Sequence, residues 1–143
     1  MIDNLLLIDD DEITHLICEL VIKKENLAKN VTKLKNGQEG IDYFRELLNA
    51  ETTVQIQPSP RLILLDLNMP VMNGWDFLEE FSCELEEKFP ETKVCILTSS
   101  VDPFDFSHSK IYNNVIGFIS KPLTKETIHE LKMNEQLAAN FSL

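Results

Sequence analysis

The chain has 143 residues, a length that suits one domain with a single packed core. Its net charge of −11 argues against sequence-independent nucleic-acid binding, which needs Lys and Arg to neutralise phosphates. No apolar run approaches the roughly 18 residues of a membrane span, and no basic segment of the kind that opens a signal peptide follows Met1. Three scattered cysteines, Cys18, Cys83 and Cys95, form no CxxC motif, so we expect free thiols in the reducing cytoplasm.

Short apolar runs alternate with helical patterns along the whole chain. The predicted strands cover 5–8, 30–34, 61–65, 94–97 and 115–119. The first predicted helix has an apolar face made of Ile13, Leu16, Ile17, Leu20 and Val21. The other predicted helices cover about 41–48, 74–88 and 102–113, with a last one that begins after Thr124 and carries Ile128, Leu131 and Ala138. This alternation predicts a parallel sheet with helices on both faces.

Several features allow two interpretations from the sequence. Residues 49–60 contain two prolines and no helical period, and this surface loop is either a mobile spacer or a partner contact. Phe104 and Phe106 belong either to the core or to a binding face, whereas Trp75 is expected to pack. Three dispersed histidines, His15, His108 and His129, are expected to be surface or hydrogen-bonded residues, and none has the context of a phosphodonor.

Polar side chains follow four of the five predicted strands. Asp9 and Asp10 follow the first strand, Asp66 the third, Thr98 the fourth and Lys121 the fifth. Ligands of open α/β sheets bind beyond the carboxyl ends of the strands, so these side chains should converge. Three carboxylates that close together need a cation, and hard oxygen ligands suit Mg²⁺. With the Lys121 ammonium and the Thr98 hydroxyl, the edge forms a cradle for a phosphoryl group.

Four segments carry a family resemblance in order: LLLIDDD, LILLDLNMPVMNG, VCILTSS and GFISKP. Together they resemble the receiver domain of two-component response regulators, from Leu5 to about Leu131. The resemblance implies a flavodoxin-like (βα)5 fold with a five-stranded parallel sheet of order 2-1-3-4-5. It also implies that Asp66 accepts a phosphoryl group from a sensor histidine kinase or a histidine phosphotransfer protein.

The resemblance also implies roles for individual residues. Asp10 would bind Mg²⁺ directly and Asp9 through water, with Asp66 and the backbone carbonyl of Asn68 as further ligands. Lys121 would pair with the phosphoryl oxygens, Thr98 would bond the phosphoryl group, and Phe118 would follow Thr98 inward as the aromatic switch. The peptide bond between Lys121 and Pro122 is expected to be cis. Asp11 and Glu12 are expected only to favour the start of the first helix.

Residues 1–143 are therefore expected to form a single signalling domain without an output domain, acting through protein–protein contact. It is not expected to be an enzyme, because as a phosphoacceptor it would catalyse only its own phosphorylation and dephosphorylation. One alternative is a phosphatase of the haloacid-dehalogenase type with Asp9 as nucleophile, although that interpretation leaves Asp66 unexplained and lacks a cap insertion. Another is a receiver-like binding module that is never phosphorylated. The sequence leaves open the cognate kinase, the downstream target, the phosphoryl lifetime and the oligomeric state.

Overall fold

The computed structural model describes residues 1–50 and 59–141, so most of the predicted 49–60 loop lies outside the described residues. The strands are β1 (Ile2–Ile8), β2 (Ala28–Leu34), β3 (Leu62–Leu65), β4 (Lys93–Thr98) and β5 (Val115–Ser120). The helices are α1 (Glu12–Lys24), α2 (Gly37–Ala50), α3 (Gly74–Glu84), α4 (Pro103–Ser109) and α5 (Lys125–Met133). A single 3-10 turn, Ala138–Asn140, follows α5.

The five strands form one parallel sheet in the order β2-β1-β3-β4-β5. β3 lies at its centre, between β1 and β4, and all four of its residues are buried. Strands of a parallel sheet that are covered on both faces carry continuous apolar runs, which explains the LILL sequence of β3. The predicted flavodoxin-like fold and strand order are therefore confirmed.

Two apolar clusters fill the space on the two faces of the sheet. Successive strand residues point to opposite faces, so Leu5 and Leu7 of β1 pack with α1 and α5, whereas Leu6 and Ile8 pack with α2 and α3. Phe44 of α2 contributes to the second cluster, with its ring 5.0 Å from that of Phe81. These packed layers hold the strand ends in fixed positions relative to each other.

Four of the five residues of the apolar face predicted for α1 are exposed to solvent, and only Val21 packs against the core. Leu16 is 61% exposed and Leu20 is 62% exposed, whereas His15, Cys18 and Ile22 form the buried side of the helix. The short connection from β1 sets the rotation of α1, and the side chain of Asp11 caps the helix by accepting the N–H of Ile13. The expectation of a surface or hydrogen-bonded His15 is wrong, since its buried Nε2 has no hydrogen-bond partner among the described residues.

α4 also differs from its prediction. Asp102 caps the helix and Pro103 opens it as expected, but the helix ends at Ser109 rather than near residue 113. Phe104 is 67% exposed and Phe106 is 46% exposed, so neither belongs to the core. A helix of two turns has a narrow buried side, and residues two positions apart cannot both face it.

The end of the chain adds a core residue that the helical pattern did not predict. α5 ends at Met133, so Ala138 lies in the 3-10 turn and not in α5. Leu137, just before that turn, is fully buried against the α1 and α5 side of the sheet. The chain therefore returns to the core after its last helix.

Among the residues that the structure describes, the longest helices are α1 and α2, with 13 and 14 residues. A membrane-spanning helix needs about 20 apolar residues. Within 1–50 and 59–141, no helix is therefore long and apolar enough to cross a membrane.

Candidate functional site

Hydrogen bonds between strand ends bring the predicted site residues to one edge of the sheet. The N–H of Asp66 donates to the carbonyl of Ile8 at 2.9 Å, which ties the end of β3 to the end of β1. The N–H of Lys121 donates to the carbonyl of Thr98 at 2.9 Å, which ties the residue after β5 to the end of β4. The parallel ladder therefore continues through the residues whose side chains carry the chemistry.

Three carboxylates meet at this edge. One oxygen each of Asp9, Asp10 and Asp66 lie within 4.8 Å of one another. Asp9 is 1% exposed and Asp66 is 6% exposed, whereas Asp10 faces solvent. Asp9 is further held by its Oδ1, which accepts the N–H of Asp11 at 2.9 Å. The convergence of the three acids that the sequence predicts is thus present.

Lys121 places its ammonium between two of these acids. Its Nζ lies 2.7 Å from Asp9 Oδ2 and 3.6 Å from Asp66 Oδ2. Burial opposes the positive charge, but the bonds to Asp9 and Asp66 outweigh it, so the pKa of Lys121 is raised above its usual value. The peptide bond that precedes Pro122 is cis, as the resemblance implies.

Asp66 remains electrostatically unfavourable despite the lysine. Burial, followed by the negative charge of Asp9, raises the pKa of Asp66. The Lys121 charge and the backbone N–H groups of Asn68 and Leu67 act in the opposite direction without cancelling that effect. The site thus holds more negative charge than its own cation balances.

The residues present fit a divalent cation. Mg²⁺ prefers hard oxygen ligands, usually one or two carboxylates with waters, and the three clustered aspartates supply such oxygens. The partly solvent-facing position of Asp10 leaves room for ordered water on the outer side. Asn68 directs its backbone N–H toward Asp66, and its carbonyl remains a predicted ligand.

Thr98 lies fully buried at the end of β4. Its Oγ1 accepts the N–H of Ser100 at 3.1 Å, and Ser100 Oγ in turn donates to Asp105 of α4 at 2.6 Å. Phe118 on β5 is partly buried and meets the ring of Phe106 edge-on, with ring centres 5.6 Å apart. Both residues of the predicted switch therefore contact α4 or the loop that leads to it, a connection that the sequence did not reveal.

The β3–α3 loop packs against Asp66 itself. A Cβ on Gly74 would lie 2.4 Å from the backbone oxygen of Asp66, so no side chain fits there. Val71 has a φ of 67°, which is rare for a β-branched residue, and the Met72 N–H bonds to the Pro70 carbonyl across it at 2.8 Å. The sequence indicated a turn here, but only packing reveals the contact between Gly74 and Asp66.

Other singled-out residues lie outside the site. Asp11 caps α1, and the backbone N–H of Ile13 lowers the pKa of its carboxyl group. Trp75 packs as predicted, with its ring 4.6 Å from that of His108. The cysteines are free, and burial raises the pKa of Cys18 to about 11 and of Cys95 to about 12, so neither buried thiol is reactive at neutral pH.

Comparisons with known proteins agree with this geometry. The family model of the response regulator receiver domain matches residues 5–132. A two-component response regulator from Cytophaga hutchinsonii is 30% identical, with a TM-score of 0.81 over 92% of this chain and 95% of that chain. A two-component response regulator from Legionella pneumophila is 27% identical, with a TM-score of 0.72 over 92% and 95% of the two chains.

Curated relatives are also similar to this chain, but the match covers different fractions of their own lengths. The probable methanogenesis regulatory protein FilR2 of Methanothrix harundinacea is 24% identical over 132 residues, which cover 90% of this chain and 80% of FilR2. Two other relatives are longer proteins, of which the match covers only 33% and 36%. On the family match, together with its acid cluster and strand order, this chain belongs to the receiver domain family of two-component response regulators.

Proposed function

We propose that this chain is a phosphorylation-dependent signalling switch with Asp66 as the phosphoacceptor. The observation that carries the proposal is the convergence of Asp66 with Asp9, Asp10 and Lys121 at one sheet edge. A carboxylate oxygen of Asp66 attacks the phosphorus of a phosphohistidine on a sensor kinase or a histidine phosphotransfer protein. The P–N bond breaks, its electron pair stays on the imidazole, and an acyl phosphate forms on Asp66.

Mg²⁺ is the cofactor of this proposal; Asp10, Asp66 and the backbone carbonyl of Asn68 would hold it directly, and Asp9 through water. When bound, it supplies positive charge between the carboxylates and the phosphoryl oxygens. The protein contributes a rigid cradle, since Asp9 and Asp66 are buried and fixed by strand-end hydrogen bonds. Such preorganised groups stabilise developing charge without having to reorient during the reaction.

Lys121 and Thr98 would recognise the phosphoryl group once it is attached. The Lys121 ammonium, 3.6 Å from Asp66, can pair with a phosphoryl oxygen after a small movement away from Asp9. The Thr98 oxygen accepts the Ser100 N–H, which leaves its own O–H available to donate to the phosphoryl group. Phe118 would then turn inward behind Thr98 and leave its edge contact with Phe106.

The output would be a change in protein–protein contact on the surface of α4, β5 and α5. Val101, Phe104 and Ile111 in and around α4 are 91%, 67% and 63% exposed, so an apolar partner surface is already present. The contact between Phe106 and Phe118 links that surface to the switch. The net charge of −11 favours a protein target over nucleic acid.

The geometry favours this proposal over the phosphatase alternative. In that alternative Asp9 is the nucleophile, but Asp9 Oδ1 accepts the Asp11 N–H and Oδ2 lies 2.7 Å from Lys121 Nζ. Both oxygens of Asp9 are thus engaged, whereas Asp66 carries the raised pKa of a group that lacks full compensation. Perturbed groups of this kind cluster at reactive sites.

Acetyl phosphate labelling with Mg²⁺, followed by intact mass spectrometry, tests the proposal. We expect one phosphoryl group per chain in the unchanged protein and none in Asp66→Asn. The matched control is Asp3→Asn, since Asp3 is an exposed acid at the opposite end of β1 and should label normally. Full labelling of Asp66→Asn with loss in Asp9→Asn would support the phosphatase instead, and no labelling of the unchanged protein would favour the unphosphorylated binding module.

A further inference from the structure

The first turn of α2 is fixed by its own side chains. Asn36 Oδ1 accepts the N–H of Glu39 at 2.9 Å, and Glu39 Oε1 accepts the N–H of Lys35 at 3.1 Å. Gly37 opens the helix inside this pair of bonds and is buried. Because the first N–H groups of a helix have no acceptor within it, the N–H of Gly37 needs a partner from another segment.

That partner is Met72 of the β3–α3 loop. The N–H of Gly37 donates to the Met72 carbonyl at 2.9 Å. The Met72 side chain covers Gly37 as well, since a Cβ built on the glycine would lie 2.8 Å from Met72 Cγ and 3.0 Å from Met72 Sδ. The same Cβ would lie 2.9 Å from the Met72 carbonyl oxygen. Position 37 can therefore carry a side chain only if Met72 moves.

The loop that contains Met72 also carries Asn68, the predicted source of a carbonyl ligand. The N–H of Gly74 donates to the Leu67 carbonyl at 3.0 Å, which joins the two ends of the loop. Val71 has a φ of 67°, a costly conformation for a β-branched residue, so the loop has little freedom to absorb a displacement. A shift of Met72 would therefore also move Asn68.

We propose that Gly37 is a positioning residue for the acid cluster. Its N–H and its missing side chain fix Met72, and through Met72 they fix the loop in which the N–H of Asn68 bonds to the Asp66 carboxylate. This role rests on the proposed function, in which the Asn68 carbonyl binds Mg²⁺. A change at Gly37 should therefore alter the affinity for Mg²⁺ and not the rate of phosphoryl transfer once the metal is bound.

Mg²⁺ titration of Gly37→Ala, followed by amide NMR spectra of the full chain, tests this role. In EDTA the variant should shift the amide signals of residues 68–73, because its Cβ displaces Met72. We expect the dissociation constant for Mg²⁺ to rise roughly 10-fold, the lower end of the usual effect of groups that orient a metal ligand, because Asn68 supplies only one of the predicted ligands. The same spectra show whether the variant is folded.

Gly40→Ala is the matched control. Gly40 lies one turn further along α2 and is also buried, but the nearest atoms to a Cβ there belong to the side chains of Ile8 and Phe77, both at 2.8 Å, and not to the loop. Gly40→Ala should therefore lower the melting temperature and leave the dissociation constant for Mg²⁺ within about 2-fold of the unchanged protein.

Met72→Ala shows whether Gly37 acts through Met72. The substitution removes two of the three close contacts, so Gly37→Ala should raise the dissociation constant for Mg²⁺ only about 2-fold in the Met72→Ala background, against roughly 10-fold by itself. Met72→Ala alone introduces no clash and should raise the dissociation constant about 3-fold, because the loop loses the packing that holds it. An equal effect of Gly37→Ala in both backgrounds would contradict a role through Met72.

Labelling by acetyl phosphate separates metal affinity from chemistry at Asp66. At Mg²⁺ concentrations below the dissociation constant, Gly37→Ala should be labelled more slowly than the unchanged protein. At saturating Mg²⁺ the two labelling rates should agree, whereas a general disturbance of Asp66 would keep the rate low at every Mg²⁺ concentration.

Three results would overturn the positioning role. The first is an unchanged affinity for Mg²⁺ in folded Gly37→Ala, the second is an equal loss of affinity in Gly40→Ala, and the third is a labelling rate of Gly37→Ala that stays low at saturating Mg²⁺. An unchanged protein that does not bind Mg²⁺ at all would contradict the proposed function instead. Shifted signals of residues 68–73 in Gly37→Ala would then still support the hold of Gly37 on the loop.

Discussion

Asp66 carries the main electrostatic conflict of the molecule. It is 6% exposed and lies beside the buried carboxylate of Asp9, and Lys121 with the backbone N–H groups of Asn68 and Leu67 balances its charge only in part. Its pKa is raised because its ionised form is less favourable in the folded chain than in the unfolded chain. The unfavourable contribution is absent below the ordinary pKa of about 4 and fully present above the raised pKa.

Asp66→Asn should therefore stabilise the metal-free protein. We expect the melting temperature in EDTA to rise by about 3 °C near pH 7.5, roughly 1 kcal/mol, and by less as the pH falls toward the ordinary aspartate pKa of about 4. Differential scanning calorimetry of both proteins across this pH range provides the measurement. A variant that is less stable than the unchanged protein at pH 7.5 would show that the carboxylate is already well compensated.

Gly74 allows the backbone of Asp66 its position, because glycine has no Cβ to clash with it. Gly74→Ala places a Cβ 2.4 Å from the Asp66 carbonyl oxygen, so the backbone that carries Asp66 must shift. We expect a loss of roughly 1–3 kcal/mol in the free energy of unfolding by urea, together with slower labelling by acetyl phosphate. Gly117→Ala is the milder control, because the nearest atom to its Cβ would be the Cys95 Sγ at 3.1 Å, a side-chain atom and not backbone. Equal effects of Gly74→Ala and Gly117→Ala on unfolding and labelling would contradict the role given to the close approach of Gly74 to Asp66.

At the scale of elements, the start of α5 supports the segment that carries Lys121. Thr124 accepts the Thr127 N–H at 3.2 Å, and Thr127 Oγ1 accepts the Thr124 N–H at 2.9 Å. Leu123 before the cap and Ile128 in the next turn are both buried in the same cluster, at the two positions of a hydrophobic staple. These contacts fix the chain directly after Lys121 and Pro122.

Removing the side chain of Thr124 that caps α5 should lower the stability of the fold, whereas a substitution that keeps the hydroxyl should preserve it. Thr124→Ala is expected to lower the free energy of unfolding by about 1 kcal/mol, whereas Thr124→Ser should keep most of it. Urea denaturation of the three proteins side by side measures the difference. Equal losses in the alanine and serine variants would mean that the methyl group, and not the capping oxygen, matters.

The sequence predicts where helices and strands lie better than it predicts which side of a helix is buried. The spacing in α1 identifies an apolar side, but burial depends on how the connection from β1 rotates the helix, and the sheet covers His15, Cys18 and Ile22 instead. The strand ends are predictable because parallel order brings Asp9, Asp66 and Lys121 to one edge whatever the details of the helices.

Contacts between residues far apart in the chain could not be predicted from the sequence pattern. Phe106 reaches Phe118, and Leu137 returns to the core after α5, and neither follows from local spacing. Gly74 is marked in the sequence as a turn residue, but its close approach to Asp66 depends on the packed loop. Such features are set by tertiary packing, which a single sequence encodes without a local signal.

At the scale of the whole molecule, one parallel sheet is covered by an apolar layer on each face, and the acid cluster lies at its edge. The central strand β3 is buried along its length and ends just before Asp66, between β1 with its acids and β4 with Thr98. The buried acids at this edge and the exposed apolar side chains around α4 are the two features that the proposed switch requires, one to receive a group and the other to signal.

The most direct test of the account is to locate the phosphoryl group. After labelling with acetyl phosphate and Mg²⁺, borohydride reduction converts an acyl phosphate of aspartate to homoserine, and peptide mass spectrometry finds the changed residue. We expect the change at Asp66 in the peptide that contains LILLDLNMP, with Asp9, Asp10 and Asp11 unmodified. Modification at Asp9 instead of Asp66 would contradict the central claim.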